Sequence, residues 1–436
     1  MHTTTLNLHL HHHQQGSSLR VPITLSAGTR ELRIAYEYAR RQPREVPGGQ
    51  ALDEVAVIDL ALEMPDGRLC GASGSERQEI TVNEAWATPG YRPARLVAGD
   101  WQVVLGLYKL PAAGCQVKLT ITQHGARELL LVGDTHVHTH HSDGRYSPQE
   151  LASRAVADGL DFLCICDHNT QSALRHLPST PELTIIPGME LTWYRGHCNL
   201  YGVLDPVLTY VANSDEQALA IIREGVARDA LLSVNHPFYP GCEWLLGEDL
   251  PPHLLEVWNG PFVAHNQQAL AHWQQTLAAG RRQNVIGGSD AHRAQLFRLP
   301  GAPATFVYSA SRMPSDILAA MREGQCFIGM DQDAPRLRLQ YGQTVMGGVA
   351  DWAADTRLLF TIHHLGAQDE LRVITQDGPA LVERPGERSV YSQELPLKQD
   401  TRFARLEVWR ALPGLGLTLA SLSNPIYFEA GRADQA

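Results

Sequence analysis

The sequence predicts an α/β protein in which a barrel-like sheet in the middle of the chain is flanked by two β-sandwich-like domains. Three observations lead to this prediction. Short strands with Gly- and Pro-rich turns fill the chain to about residue 127, strands alternate with helices from about 128 to 330, and strands without helices return from about 331. We therefore expect domains at 1–127, 128–330 and 331–436.

The N-terminal region is predicted to be all-β. ELRIAYEYA, AVIDLALEM and WQVVLGLYKL alternate or cluster apolar residues, and turn-rich pieces such as PDGRLCGASG lie between them. Regular short strands of this kind are typical of a β-sandwich. The polar start, which contains His11, His12 and His13, is expected to be a disordered tail.

The middle region is predicted to alternate between strands and helices. The apolar strand ELLLVGDTH is followed by SPQELASRAVADG, a helix with Ser147 as its N-cap, Pro148 at its first position and Glu150 completing a capping box. The alternation continues through DFLCICDHNT, TIIPGMELT, CNLYGVLD, LLSVNHPF, LLEVWNG, NVIGGSDAH and ATFVYS. Such alternation favours a parallel sheet that is covered on both faces and closed into a barrel or near-barrel of about eight strands.

The C-terminal region is predicted to form a second sandwich. PRLRLQYG, TRLLFTIHHLG, LRVITQDG, ARLEVWRAL and SNPIYFEA have the strand pattern, and DG turns separate some of them.

Composition and charge disfavour several classes of function. The net charge of −11 at pH 7 disfavours binding of a nucleic-acid polymer through a basic surface. No apolar run approaches 18 residues, so neither a transmembrane helix nor a membrane partner is expected. The start of the chain lacks the pattern of a signal peptide, and the 7 scattered cysteines suit reduced thiols, so we expect a cytoplasmic location.

Residues of metal-binding type follow the predicted strands of the middle region. They are His136 and His138 with Asp143 in the next loop, His168, Glu190, His197 in the loop before CNLYG, His236, and Asp290 with His292. Because active sites of parallel barrels form at the carboxyl ends of the strands, we expect all of them at one rim. The two imidazoles of His-x-His point to one side of a strand. Asp167 is either an orienting residue for a ligand or a strand-end cap.

The ligand types indicate a catalytic metal cluster. Six histidines and three carboxylates suit zinc, manganese or iron, and they are enough for two or three ions if a carboxylate bridges. The absence of a thiolate disfavours a structural zinc site. A divalent metal lowers the pKa of bound water to about 7, which favours hydrolysis. His140 and His141 match no ligand position.

The motifs of the middle region resemble those of the PHP (polymerase and histidinol phosphatase) superfamily over about 129–330. They are HVH at 136–138, SDG at 142–144, CDHNT at 166–170, GME at 188–190, NHP at 235–237 and SDAH at 289–292. The resemblance implies a distorted (β/α)7 barrel with a di- or trinuclear metal site. VIDLALEMPDG, NEAWATPGYRP and the closing SNPIYF are similar to the CehA/McbA branch, which is named for aryl carbamate ester hydrolases and contains many predicted phosphoesterases.

The resemblance also implies a division of the ligands among the ions. The first ion would be held by His136, His138, Glu190 and Asp290, the second by the bridging Glu190 with His197 and His236, and the third by Asp143, His168 and His292. Some family members have a histidine at the position of Asp143, which leaves two or three ions open.

Three functions remain open at this point. The preferred hypothesis is a metal-dependent phosphoesterase with a metal-bridging hydroxide near Glu190 and Asp290, acting on a small anionic ester. Arg195 and Arg293 flank ligand motifs and either neutralise that substrate or are exposed loop residues. The alternative is a carboxylic or carbamic ester hydrolase with the same metal site. The third hypothesis is a non-catalytic, metal-stabilised binding protein. A homo-oligomer is compatible with all three.

Overall fold

The computed structural model describes residues 1–47, 49–177, 180–247, 249–251, 253–294, 299–412, 414 and 416–429. The chain divides into two compact units, the first consisting mainly of residues 1–127 and the second of the chain from residue 128 onward. The structure does not separate 331–436 from 128–330 as a compact unit of its own.

The first unit is built from antiparallel strands. They are β1 (His2–Leu10), β2 (Ser18–Leu25), β3 (Thr29–Tyr38), β4 (Arg41–Val46), β5 (Gly49–Glu54), β6 (Val57–Glu63), β7 (Leu69–Ser73), β8 (Glu79–Asn83), β9 (Gly99–Lys109) and β10 (Cys115–Gly125). The prediction of a disordered start is wrong, because β1 pairs with β10 along its whole length and a 3-10 helix follows at His12–Gln14. Leu6, Leu8 and Leu10 alternate toward the interior of this strand.

Two sheets of the first unit share one apolar core and form the predicted sandwich-like arrangement. One sheet has the order β1-β10-β3-β8 and the other β2-β9-β6-β7, while β4 and β5 form a separate hairpin. Ile34 of the first sheet and Leu60 and Val103 of the second are fully buried in the same cluster. The Tyr36 hydroxyl donates to the Ile58 carbonyl over 2.7 Å and ties the two sheets together.

The second unit begins with the strands of the predicted barrel and continues into a β-rich C-terminal region. Its strands are β11 (Leu129–Val137), β12 (Phe162–Ile165), β13 (Thr184–Trp193), β14 (Gly196–Tyr201), β15 (Leu231–Val234), β16 (Leu254–Asn259), β17 (Val285–Gly288), β18 (Ala304–Ser309), β19 (Cys326–Gly329), β20 (Arg336–Tyr341), β21 (Thr344–Val345), β22 (Val349–Ala350), β23 (Leu358–Leu365), β24 (Glu370–Thr375), β25 (Gly378–Glu383), β26 (Arg388–Leu395), β27 (Phe403–Leu412), β28 (Gly416–Ser423) and β29 (Ile426–Phe428).

The helices of the second unit are α1 (Pro148–Ala157), α2 (Asp215–Ala227), α3 (Ala264–Ala278) and α4 (Pro314–Arg322), and a 3-10 helix spans Ser172–His176. The predicted capping box of α1 is confirmed, because the Ser147 hydroxyl accepts from the Glu150 amide and the Glu150 carboxylate accepts from the Ser147 amide. No helix within the described residues combines the length and the apolar character needed to cross a membrane.

Strands β11 to β17 lie side by side in sequence order and form a curled sheet. The sheet is mixed rather than parallel, because β13 and β14 form a hairpin and β14 is antiparallel to both of its neighbours. The other neighbouring pairs in this run are parallel. A parallel bridge between Val137 and Ala291 brings the end of β11 to the segment that follows β17. The described helices that connect these strands are α1, α2 and α3 together with the 3-10 helix, so a helix after every strand, as a regular (β/α)7 barrel requires, is not observed.

The C-terminal strands extend the same sheet. β11 pairs with β18, β18 with β19, β19 with β28, and the sheet continues through β27 and β24 to β25. A second sheet, β21-β20-β23-β26, packs against this part, and Leu339 and Phe360 of one sheet share a buried cluster with Val373 and Leu406 of the other. The predicted second sandwich is therefore present in outline, with one of its sheets continuous with the middle region.

Candidate metal centre

The nine predicted ligands all lie at one rim of the β11–β17 sheet. His136 lies near the end of β11 and His138 directly follows that strand, while Asp290 and His292 follow β17. The two segments are held together by backbone hydrogen bonds, because the His138 amide donates to the Ala291 carbonyl over 3.1 Å and the Asp290 amide donates to the His136 carbonyl over 2.8 Å.

The sequence predicts Glu190 at a strand end and His197 in a loop. Both of these local predictions are wrong, because the two residues lie on the strands of a hairpin. Glu190 lies inside β13, and His197 is the second residue of β14. Because β14 runs antiparallel to β13, its beginning lies at the same rim as the ends of the parallel strands. His197 therefore still reaches the other predicted ligands.

The Glu190 carboxylate lies at the centre of the cluster. Its side chain is 1% exposed, and ring nitrogens of five histidines lie 2.8–3.4 Å from its oxygens. The distances are 3.3 Å to His136 Nε2, 3.4 Å to His138 Nε2, 2.8 Å to His168 Nδ1, 3.4 Å to His197 Nδ1 and 3.4 Å to His236 Nε2. A carboxylate surrounded in this way can bridge two cations, each completed by imidazoles.

Two further carboxylates extend the cluster toward solvent. Asp290 Oδ1 lies 3.2 Å from His138 Nε2 and 3.5 Å from His292 Nδ1. Asp143 Oδ1 lies 3.2 Å from His292 Nε2 and 3.5 Å from His168 Nε2. The Asp143 side chain is 59% exposed, against 13% for Asp290, so the Asp143 side is the open side of the cluster.

The ligand atoms fall into four overlapping groups, in each of which all atoms lie within 4.8 Å of one another. The groups are His138, Asp143, His168 and His292; His136, Glu190 and His236; His136, His138 and Asp290; and His168, Glu190 and His197. Together they contain all nine predicted ligands and no other residue.

Buried ring nitrogens in this cluster fit bound cations. Among the described residues, Nε2 of His136, both ring nitrogens of His138 and Nδ1 of His197 are buried without a hydrogen-bond partner. A buried polar atom without a partner costs free energy, and a divalent cation would satisfy one ring nitrogen of each of these imidazoles. The mixture of imidazoles and carboxylates suits zinc, manganese and iron.

The electrostatics of the cluster keep its inner carboxylates ionised. Burial alone would raise the pKa of Asp290, but the charge of His136 and the hydrogen bond with His138 outweigh burial and hold that pKa below its ordinary value. Burial and the histidines oppose each other in the same way at Glu190, whose pKa is also lowered. Ionised carboxylates are the form that binds cations.

A sequence model of the PHP domain family matches residues 134–242, a range that includes seven of the nine predicted ligands. The chain contains a PHP domain. Asp290 and His292 lie beyond the matched range but within the same rim of the structure. No curated protein matches the chain.

Several solved structures are similar to parts of the chain. A two-domain protein from Bacteroides vulgatus, with a predicted PHP-like metal-dependent phosphoesterase, is 17% identical, the match covers 68% of this chain and 96% of that chain, and the TM-score is 0.40. A candidate metal-dependent phosphoesterase from Bifidobacterium adolescentis is 17% identical over 36% of this chain and 87% of its own, with a TM-score of 0.25. An amidohydrolase from Chromobacterium violaceum with bound sulfate is 14% identical over 37% and 87%, with a TM-score of 0.25.

Two aspartates, Asp134 and Asp167, fix the segments next to the cluster by accepting hydrogen bonds from them. The buried Asp134 carboxylate accepts hydrogen bonds from the amides of His136, Ser289 and Gly301 and from the Ser289 hydroxyl. It therefore joins the start of the His-x-His segment to the segment that carries Asp290. Burial raises the pKa of Asp134 to about 6, although its hydrogen bonds act in the opposite direction.

Asp167 fixes the loop that follows β11 by hydrogen bonds. Among the described hydrogen bonds, none joins its carboxylate to the imidazole ring of a predicted ligand. Its carboxylate accepts from the Thr139 amide and the Thr139 hydroxyl, each over 2.7 Å, and from the Ser142 hydroxyl over 2.7 Å. The loop that it fixes leads directly to Asp143. Asp167 thus bears on the placement of a predicted ligand through the loop backbone and not through a hydrogen bond to a ligand ring.

Glu256 is a buried carboxylate beside the cluster that the motif analysis misses. It lies in the middle of β16, and its Oε1 accepts from His136 Nδ1 over 2.9 Å. The signal was present in LLEVWNG, where Glu256 is the one charged residue of a strand that is otherwise apolar up to its end. A charge in such a strand is costly to bury unless it has a specific partner.

The arginines and the two remaining histidines of the HVHTHH segment lie around the rim. Arg195 forms a bidentate ion pair with Asp215, at 2.9 Å from both nitrogens, and its side chain is 49% exposed. Arg293 directly follows His292 and is exposed. His140 is exposed and stacks on His141 at a centroid distance of 4.7 Å, and neither belongs to a ligand group.

Close backbone approach and strain mark the cluster. His236 and Asp290 have φ angles of +27° and +52°, a region that residues other than glycine rarely adopt and that is often found at functional sites. At Gly288, an added Cβ would lie 2.5 Å from the Cβ of His136. The glycine therefore allows β17 to approach β11 closely enough to bring the Asp290 segment to the His-x-His segment.

Proposed function

We propose that the chain is a metal-dependent hydrolase and that its substrates are phosphoesters. The observation that carries the proposal is the convergence of nine ligand-type side chains in four overlapping groups, with buried ring nitrogens that lack other partners among the described residues. The proposed ligand division is the one that the family resemblance implies, with Glu190 as the bridge. Four of the nine side chains belong to two groups each, so the set suits two or three ions that share ligands.

Bound divalent cations would lower the pKa of a coordinated water and offset the negative charge of a phosphoryl group. The side chains of the protein retain the cations and exclude water. Glu190 and Asp290 hold the charge that retains the cations, and the buried side of the cluster excludes bulk water. Because Asp143, His168 and His292 are 23–59% exposed, whereas His136 and His138 are fully buried, the substrate enters from the Asp143 side in this proposal.

One observation favours the second candidate, a carboxylic or carbamic ester hydrolase. Phosphate recognition gains from nearby arginines, but the Arg195 guanidinium is already paired with Asp215. Arg293 is the other arginine next to a ligand motif. The similarity of the flanking segments to the CehA/McbA branch points to the same alternative, and membership in that branch is part of this proposal.

The proposal also takes the curled sheet of β11–β17 as a distorted (β/α)7 barrel in which the β13–β14 hairpin replaces one helical crossover. All of the cysteines are free, which supports a reducing, cytoplasmic location.

A substrate panel tests the proposal. The protein is incubated with Mn²⁺ or Zn²⁺ and p-nitrophenyl phosphate, bis-p-nitrophenyl phosphate, p-nitrophenyl acetate or an aryl carbamate. We expect metal-dependent release of p-nitrophenol from a phosphate substrate, a loss of at least about 100-fold in His138→Ala, and full activity in the matched variant His140→Ala. Turnover of the carboxyl or carbamate esters alone would replace the phosphoesterase by the second candidate. Metal binding without turnover of any substrate would favour the third hypothesis, a non-catalytic binding protein.

A further inference from the structure

Glu256 is a buried carboxylate that contacts two predicted ligands at once. Its side chain is fully buried, and the described ion pairs give it His136 as its partner. Oε1 accepts from His136 Nδ1 over 2.9 Å, and Oε2 accepts from the His236 amide over 3.1 Å and from Asn259 Nδ2 over 2.9 Å. A buried carboxylate is tolerated when it is hydrogen-bonded in this way.

The contact with His136 fixes the tautomer of that ring. A carboxylate can only accept, so Nδ1 of His136 carries the proton and donates it to Glu256. When the ring is neutral, as a metal ligand must be, Nε2 then presents a lone pair. This Nε2 is buried without a hydrogen-bond partner among the described residues and lies 3.3 Å from Glu190 Oε1 and 3.6 Å from Asp290 Oδ1.

The contact with His236 fixes its backbone. The φ angle of His236 is +27°, which is costly for a residue with a side chain, and the Glu256 carboxylate satisfies the amide in this conformation. Nε2 of His236 lies 3.4 Å from Glu190 Oε1, and the rings of His136 and His236 lie nearly parallel at a centroid distance of 5.9 Å. One carboxylate thus places two imidazoles beside the same Glu190.

The position of Glu256 is itself fixed by helix α3. The side chain of Asn259 donates to Glu256, and the backbone amide of Asn259 donates to Asn266 Oδ1 over 3.0 Å. Asn266 Nδ2 in turn donates to the Asn259 carbonyl over 2.9 Å, and both asparagines are buried. The chain of contacts leads from α3 to β16 and from there to the predicted ligands.

We propose that Glu256 is a positioning residue of the metal centre, which holds Nε2 of His136 and Nε2 of His236 ready for cations next to Glu190. This inference rests on the proposed function in that it takes the cluster as a metal site, but it does not depend on the substrate. It adds to that site a carboxylate outside the nine predicted ligands.

The variant Glu256→Gln tests the proposal by removing one acceptor without changing the volume. Glutamine has one side-chain oxygen for the three groups that donate to Glu256. If the glutamine NH2 group faces His136, Nδ1 of His136 has to accept and its proton moves to Nε2. If the NH2 group faces His236, the backbone amide of His236 loses its acceptor. We expect the Kd for Mn²⁺ and Zn²⁺, measured by equilibrium dialysis of the full chain, to rise by about 10- to 100-fold. Glu256→Asp, which keeps the charge, is expected to bind with intermediate affinity, and the exposed strand carboxylate Glu394 provides the matched control Glu394→Gln, with unchanged Kd.

A spectroscopic measurement separates positioning from a merely structural effect. In 15N-histidine-labelled protein loaded with Zn²⁺, with His136 assigned from the His136→Asn variant, we expect the proton on Nδ1 of His136 in the wild type and a change in the His136 ring shifts in Glu256→Gln. If Glu256→Gln does not fold, the spectrum of the Zn²⁺-loaded wild type alone decides, and a His136 ring without a proton on Nδ1 overturns the proposal.

The outcomes also separate this proposal from the proposed function. An unchanged metal Kd in folded Glu256→Gln overturns the positioning function and leaves phosphoester hydrolysis by the wild type untouched. Metal binding that depends on Glu256, without turnover of any phosphoester, supports the positioning function and contradicts the phosphoesterase. A wild-type protein that binds neither Mn²⁺ nor Zn²⁺ contradicts both.

Discussion

The variant Asp134→Asn is expected to destabilise the second unit, because Asp134 uses both carboxylate oxygens as acceptors. Oδ1 accepts from the amides of His136 and Ser289, each over 3.0 Å, and Oδ2 accepts from the Gly301 amide over 2.7 Å and from the Ser289 hydroxyl. The residue is fully buried, so water cannot replace a lost acceptor.

The magnitude follows from counting acceptors. An asparagine oxygen can keep the two amides of His136 and Ser289, and the Ser289 hydroxyl can rotate to accept from the new NH2 group. The Gly301 amide then faces a donor. One buried N–H without an acceptor costs about 1–3 kcal/mol, and the loss of charge weakens the retained bonds, so we expect the free energy of unfolding to fall by about 2–4 kcal/mol.

Urea unfolding in the presence of a chelator measures this effect without a contribution from metal binding. The matched control is Asp229→Asn, whose side chain is 90% exposed and which is expected to unfold at the wild-type urea concentration. We also expect weaker Mn²⁺ binding in Asp134→Asn, because Asp134 joins the two segments that carry predicted ligands. A change in unfolding free energy below about 0.5 kcal/mol, the range of ordinary surface substitutions, would refute this reasoning.

Three further predictions concern Gly288, Ser147 and Arg195 of the second unit. Gly288→Ala is expected to lower the melting temperature, measured by calorimetry, and the Mn²⁺ affinity, measured by dialysis, because the added Cβ would lie 2.5 Å from the Cβ of His136. The control Gly125→Ala, where no neighbour lies closer than 3.8 Å, should change neither quantity. Ser147→Ala should lower the unfolding free energy by about 0.5–2 kcal/mol in urea titrations, with activity retained. Arg195→Ala should leave kcat/KM for p-nitrophenyl phosphate within about twofold, because the guanidinium is already paired with Asp215; a tenfold loss would place Arg195 at the substrate.

The convergence of the site could be predicted because it depends on few assumptions. Histidines and carboxylates follow successive strands, and strand ends of one sheet meet at a rim, so His136, His236 and Asp290 come together whatever the helices do. The capping box of α1 could be predicted for a similar reason, since Ser147 and Glu150 act within four residues of each other.

Strand direction could not be predicted from the same patterns. TIIPGMELT and CNLYGVLD have apolar strand character in either direction, and the sequence WYRGH between them contains no strong two-residue turn signal. The structure pairs Trp193 with Gly196 and closes a hairpin there. This reversal places His197 on a strand and makes the sheet mixed.

Partners of charged residues were equally inaccessible to sequence patterns. The pairing of Arg195 with Asp215 joins residues twenty positions apart, and that of His136 with Glu256 joins residues 120 positions apart. No local period connects such residues, so the sequence could propose Arg195 as a substrate contact but could not show that a carboxylate had already engaged it.

The pairing of β19 with β28 has a consequence for how this PHP domain can be inherited or transplanted. Phe327 and Ile328 of β19 pair with Ser423 and Leu422, and the next residue, Asn424, donates to the carbonyls of Val285 and Cys326. A gene fragment that stops near residue 330 would leave β19 as an open sheet edge and would lack Asn424, so the carbonyls of Val285 and Cys326 would lose its hydrogen bonds. Recombination that moves the segment with the predicted ligands into another protein must therefore carry the C-terminal strands with it.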